Sequence, residues 1–177
     1  RYSLNAGNTR LPIIAVSRCL LGEPVRYDGR DKEAPELIAA IRPHCTILPV
    51  CPEVEAGLTV PRPPIQLIVD SHGNYHLMGR DDPDLDVTQP LHQFASHFCH
   101  AAQKLSAAIL QNRSPNCGVA DTPIYNSAGI QQSTGDGFFS AFLKNSYPEL
   151  PITTPQQLDS SEEINLFIQR ATAYNGS

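Results

Sequence analysis

Short apolar, β-branched runs alternate along this chain with segments of helical period, and that alternation limits the fold more than any other feature. Leu11 to Val16 (LPIIAV) is the first such run; it turns polar at Ser17-Arg18 and gives way to the turn-rich Gly22 to Gly29. Pro35 opens a helical pattern with Leu37, Ile38 and Ile41 on one face, stopping before Pro43. Thr46 to Val50 reads as a second buried strand, and a proline-rich loop follows it from Cys51 to Pro64. Ile65 to Val69 and Tyr75 to Met78 read as two strands joined by the turn Asp70 to Asn74.

Further on, Gln89 to Ala108 is expected to be a helix, because Leu91, Phe94, Ala95, Phe98, Ala102, Leu105 and Ile109 recur at three- and four-residue steps. Ala108 to Leu110 is expected to be a short strand, Phe138 to Asn145 a helix, and Ile152 part of a last strand. Ser160, with Glu163 three residues on, is a capping box for a final helix that turns Ile164, Phe167, Ile168 and Ala171 inward. Strands separated by helices pair in parallel through crossover connections. The expected architecture is therefore α/β: a mostly parallel sheet with helices on both faces, a Rossmann-like three-layer arrangement.

A chain of 177 residues can bury one substantial core, and no composition shift marks a linker, so one domain is expected over residues 1–177. The only methionine is Met78, so the native start is expected to be missing or replaced, with residues 1–10 disordered or expression-derived. A net charge of −5 with no dense Lys/Arg run disfavours a large nucleic-acid partner. No apolar stretch approaches a membrane span and no signal-peptide core is present, so a cytoplasmic protein with no membrane partner is expected. Oligomeric state is not legible.

The cysteines carry the chemistry. Five is an odd count in a chain too large to need disulfides, which points to a reduced compartment and free thiols. No Cys-x-x-Cys pair occurs, so a metal site must be assembled from distant segments. Cys19, Cys51 and Cys117 each follow an apolar run, the position at which parallel strands converge on one sheet edge and bind ligands. Three thiolates without a fourth can hold three irons of a cubane and leave the last iron open. The competing metal is zinc, closed by a histidine, but His92, His97 and His100 fall on the long helix and His72 and His76 on the hairpin, away from the cysteine loops. Cys45 and Cys99 read as packing residues. Arg26, Tyr27 and Asp28, in the loop after Cys19, are candidates to bind substrate, and Gly135 and Gly137 ahead of a helix are a weak sign of an anion-binding turn.

Four segments together resemble the thiouracil desulfidase family: Ser17-Arg-Cys-Leu-Leu-Gly-Glu-Pro-Val-Arg-Tyr-Asp-Gly29, Cys51-Pro-Glu-Val-Glu-Ala-Gly57 with Pro61-Arg-Pro-Pro64, Asp86-Val-Thr88, and Arg113-Ser-Pro-Asn-Cys-Gly118. The resemblance implies a 4Fe-4S cluster on Cys19, Cys51 and Cys117, with Glu53 and Ser114 catalytic, and a non-redox, hydrolytic removal of sulfur from a small thiolated uracil or nucleoside. Desulfidation of thiouridine in tRNA and a non-catalytic cluster-binding module are the alternatives. Two departures stand out: Asn116 replaces a usual serine without touching a proposed metal ligand, and Phe138-Phe139 bear on the pocket's shape and hence on substrate identity.

Overall fold

The computed structural model describes residues 10–175. The expectation for residues 1–10 therefore lies, apart from Arg10, outside the described residues. Two four-stranded sheets are present where one was expected. The first holds β1 (Ile13–Ser17), β2 (Thr46–Val50), β5 (Leu105–Ile109) and β8 (Ile152–Thr153) in the order β2-β1-β5-β8, every pairing parallel. Chain order reverses between β1 and β5, so the crevice expected at such a switch opens there, at the carboxyl edge.

Helices cover both faces of this parallel sheet. Side chains alternate across a strand, so Ile14 and Val16 of β1 face one side, with α1 (Pro35–Ile41) and α5 (Ser161–Asn175) supplying Ile41, Phe167 and Ala171. Ala15 faces the other, against Ala95 and Cys99 of α3 (Thr88–Ala101) and Phe139 and Leu143 of α4 (Phe138–Ser146). Ile14, Ile41 and Phe139 are fully buried, each contributing about 1.5–3 kcal/mol relative to exposure. Cys45 and Cys99 lie buried in these two clusters. The capping box at α5 is seen in part: Ser160 Oγ accepts the Glu163 N–H at 3.1 Å.

The second sheet is mixed, with β3 (Ile65–Val69), β4 (Tyr75–Gly79), β6 (Thr122–Tyr125) and β7 (Gln131–Gly135) in the order β4-β3-β6-β7. Its two hairpins, β3-β4 and β6-β7, are antiparallel and join through a parallel β3-β6 pairing. Helix α3 ties the sheets together: Leu91 enters the mixed sheet's core with Leu67, Leu77 and Ile124, while Ala95 and Cys99 serve the parallel sheet.

The long helix ends earlier than its periodicity suggests. Leu105 to Ile109 is a strand buried along its whole length, and α3 stops at Ala101. A short apolar run satisfies helix and strand templates alike, and here two strand partners, β1 and β8, claim it. No helix among the described residues is long and apolar enough to cross a membrane.

Candidate metal centre and active-site cavity

Each cysteine-bearing loop has its own local device. After β1 the chain enters a tight 3₁₀ turn, Arg18–Leu21, that ends on Gly22 at φ +89°, a backbone conformation open to glycine. The Cys19 carbonyl accepts the Lys32 N–H at 2.9 Å, pinning the far end of the loop. Cys51 caps α2 (Pro52–Glu55), a helix absent from the loop reading, and the Glu55 carboxylate accepts the Cys51 N–H at 2.7 Å. Proline at the first helical position fixes φ and lacks only a donor that would be unpaired there.

The Cys117 loop is the most constrained. Ser114 Oγ accepts the N–H groups of Asn116 and Cys117 at 3.2 and 3.0 Å, and the Ser114 carbonyl accepts Gly118 N–H and Thr122 Oγ1. The amino end of α4 is spent on the same loop: Phe138 N donates to Pro115 O at 2.8 Å, and Phe139 N and Ser140 N to Asn116 O at 2.9 and 3.0 Å. Gly137 N donates to Gly118 O, and a Cβ on Gly137 would lie 2.5 Å from the Asn116 carbonyl. The glycines ahead of α4 thus serve close backbone packing, and the donors a helix offers to an anion are taken by the loop.

A cavity of about 770 Å³ opens at the carboxyl edge, lined by Cys19, Cys51 and Cys117 together with Glu53, Ser114, Arg26 and Tyr27. Asp28 is not among its lining residues; its carboxylate accepts the Arg30 N–H at 3.0 Å and shapes the turn. Phe138 and Phe139 do not line it either. Phe139 packs on Phe94 and Phe98 at ring separations of 5.5 and 5.1 Å, and Phe138 belongs to the mixed sheet's core.

The thiols feel one another. Burial pushes Cys19 up to about 11, helped by the charge of Cys51; burial first, then Cys19 and Cys51, pushes Cys117 well above the ordinary thiol range. Cys51 is also raised, chiefly by burial. Without metal the cavity therefore holds neutral thiols, which avoids mutual repulsion and means that a bound metal must displace their protons. Ser17 adds a hydrogen bond to the Cys117 sulfur while its Oγ accepts Gln111 N–H at 3.0 Å.

Among the described residues no three His, Cys, Asp or Glu side chains close to the spacing that grips a single metal ion, and no histidine lines the cavity. A zinc site completed by histidine does not suit that arrangement, whereas a cubane spreads its thiolates over separate corners. Glu53 is held by Arg62 and Asn116: Arg62 Nε donates to Oε1 at 2.7 Å and Asn116 Nδ2 to Oε2 at 3.0 Å. Sequence reasoning assigned no role to Arg62 and set Asn116 aside. The signal for Arg62 was its place inside Pro61-Arg-Pro-Pro64, where rigid backbone holds a cation close to the cysteine loops. Six cations line the cavity, Arg18, Arg26, Lys32, Arg62, Arg80 and Arg113, against Glu53 as the one carboxylate among the described residues.

A parallel sheet covered on both faces, with three thiols in one cavity at its carboxyl edge, defines an α/β protein with a soft-metal donor site. The chain belongs to the 2-thiouracil desulfurase family, whose model matches residues 14–154. It is similar to a solved [4Fe-4S]-dependent thiouracil desulfidase, TudS, at 32% identity and a TM-score of 0.69, covering 89% of this chain and 98% of the other. It is also 31% identical over 140 residues to the uncharacterised protein YbbK of Bacillus subtilis (strain 168), covering 75% of this chain and 89% of that one.

Proposed function

We propose that the chain is a 4Fe-4S-dependent, non-redox desulfidase that converts a thiolated uracil and water into uracil and hydrogen sulfide. The observation that carries this reading is the donor set: Cys19, Cys51 and Cys117 share one cavity with Glu53 and Ser114 and with no fourth cysteine among the described residues. Bound there, the cluster would supply one iron that no protein thiolate ligates, an open position and a soft Lewis acid suited to a thiocarbonyl sulfur.

The chain's own groups then have definable tasks. Arg62 and Asn116 occupy one lone-pair direction on each Glu53 oxygen, and a carboxylate has about four. The remaining lone pairs accept a proton from the water that attacks the thiocarbonyl carbon. Ser114 Oγ receives two backbone N–H groups on its lone pairs, so its own O–H proton is available to donate to the pyrimidine ring. Arg26 and Tyr27, whose guanidinium and ring centre lie 5.9 Å apart, form a wall against which the ring packs.

Anaerobic reconstitution with iron and sulfide, followed by incubation with 2- and 4-thiouracil, tests the proposal. About four irons per chain are expected, as a 4Fe-4S group requires, with thiocarbonyl absorbance lost as sulfide appears. Replacing Glu53 by alanine is expected to slow turnover about 10²- to 10⁴-fold. One zinc per chain with no iron, or full iron loading without sulfide release, would overturn it. A second reading is favoured by the cations: a cavity so rich in Arg and Lys within an acidic chain suits a thiolated uracil that carries phosphate, from a nucleotide to thiouridine in tRNA. Comparing free 4-thiouracil with its 5′-nucleotide and with thiolated tRNA separates these substrates.

A further inference from the structure

The cysteine loops come from distant segments and have no covalent tie between them. Something else must hold their spacing. The two partners of Glu53 are placed to do so. Arg62, only 9% exposed, donates from Nη2 to Val25 O at 2.9 Å and from its backbone N–H to Tyr27 O at 2.8 Å, both in the segment after Cys19. Its Nη1 donates to Thr59 O at 3.1 Å. Asn116, 1% exposed, immediately precedes Cys117, and its backbone carbonyl is anchored on the first turn of α4. Glu53 lies two residues after Cys51. A single carboxylate therefore joins the loop of Cys19, the helix of Cys51 and the loop of Cys117.

The orientation of Asn116 supports this. Its Oδ1 is buried with no partner, while its Nδ2 faces Glu53; the flipped amide would set oxygen against carboxylate. A buried acceptor without a donor is tolerated where the same side chain completes a charge-assisted network. The guanidinium is similarly committed, since three of its N–H groups go to three separate segments in a fork that lysine cannot reproduce.

We propose that Arg62 and Asn116 are positioning residues that fix the orientation of Glu53 and, through it, set the spacing of the three cysteine loops before any cluster is bound. The part concerning Glu53 orientation rests on the desulfidase reading; the part concerning the loops does not.

Peptide-resolved alkylation of the reduced, metal-free chain with iodoacetamide, under anaerobic conditions, reads each loop separately, with Cys45 and Cys99 as internal gauges of the fold. In Asn116→Leu, which keeps volume and removes the donor, and in Arg62→Gln, alkylation of Cys19, Cys51 and Cys117 is expected to quicken about tenfold or more, the scale of supporting-shell losses. Cys45 and Cys99 should change by less than about twofold. Glu53→Ala should give the same pattern, and Arg62→Lys an intermediate one. No change at the three cysteines, or an equal rise at all five, overturns the proposal. In the reconstituted protein the same variants should lower kcat about tenfold with KM for 4-thiouracil held within about twofold; a raised KM with unchanged kcat overturns the role at Glu53. If the wild-type protein takes up iron yet releases no sulfide, the function proposed above fails, while the alkylation pattern still decides the loop-setting role.

Discussion

The central strands of the parallel sheet, β1 and β5, are buried almost end to end, whereas β7 of the mixed sheet is exposed from Gln131 to Thr134. Both sheets border the same cavity, but they contribute different chemistry. The ends of β1, β2 and β5 lead into the cysteine loops, where the backbone N–H groups of Cys51, Asn116, Cys117 and Gly118 are committed. The mixed sheet contributes Gln66, Leu67, Pro123 and Tyr125, with Arg80 just beyond β4. β2, expected from the sequence to be a buried strand, is instead an edge strand exposed at Thr46, Leu48 and Pro49. The doubly covered β1 and β5 suit groups that must sit at fixed spacing, and a half-solvated sheet suits a wall that meets a soluble ligand. Substitutions at the parallel sheet's edge should therefore abolish activity, and substitutions on the mixed sheet should tune it.

The largest effect expected is at a proposed ligand. Cys117→Ala should leave the reconstituted protein without a stable cluster and turnover at background, read by iron and sulfide analysis, whereas Cys45→Ala should keep full iron content. Equal iron retention by both would remove the distinction between the sheet edge and the core.

A pair of glycines tests the same comparison at smaller scale. In Gly137→Ala the new methyl would lie 2.5 Å from Asn116 backbone atoms and 2.8 Å from Cys117 N, so the loop must shift. A cost of about 1–3 kcal/mol is expected, together with poorer iron retention. Gly129→Ala, in the β6-β7 turn, meets nothing within 4 Å but sits at φ +81°; it should cost about 1–2 kcal/mol from backbone strain alone and leave iron content unchanged. Thermal unfolding and iron analysis of both variants check this, and matching iron loss in the two would break the comparison.

The same division explains what could be read in the sequence. The parallel sheet was legible because Ile13–Ser17 and Thr46–Val50 are short apolar runs with turn chemistry after them, and the cysteines stand just beyond. The β6-β7 hairpin was not: Pro123 argues against a strand, and Gln131–Gly135 has no apolar face to bury. That strand forms because β6 has β3 as a partner on its other side, a contact between distant segments. Within the site, strand-end placement singled out Cys19, Cys51 and Cys117, while Glu53 and Ser114 entered through family resemblance. The grip of Arg62 and Asn116 on Glu53 was hidden, since it depends on side-chain directions across sequence separations of 9 and 63 residues.

On the mixed sheet, Arg80 offers a milder test. It is half exposed at the cavity, paired loosely with Asp81 at 3.8 Å. An exposed charge contributes about 0.2–1 kcal/mol, so Arg80→Ala should raise KM for a phosphate-bearing thiouracil about two- to fivefold with kcat unchanged. For the free base KM should stay within about twofold. A fall in kcat instead would give the mixed sheet a share in the chemistry, contrary to the division drawn above.

The smallest effect concerns acid. At the tip of the β3-β4 hairpin, Asp70 Oδ2 lies 2.9 Å from His76 Nε2, and Oδ1 accepts the N–H groups of His72 and Asn74 at 2.8 and 2.9 Å. The hydrogen bond with His76, followed by that from Asn74, lowers the Asp70 carboxyl to about 2. A carboxyl depressed in the folded chain stabilises it above the unfolded value, about 3.9, and that contribution fades as pH falls from there through about 2. Hydrogen exchange, corrected for intrinsic rates, should thus show the hairpin amides losing protection across this window before those of β1 and β5. Asp70→Asn should remove most of that difference in pH response, because the amide does not titrate. A hairpin with the same acid response in both proteins would show that the carboxyl does not hold the turn. Acid loosening confined to this hairpin would mean that the wall carrying Gln66 and Arg80 can move while the cysteine edge stays fixed.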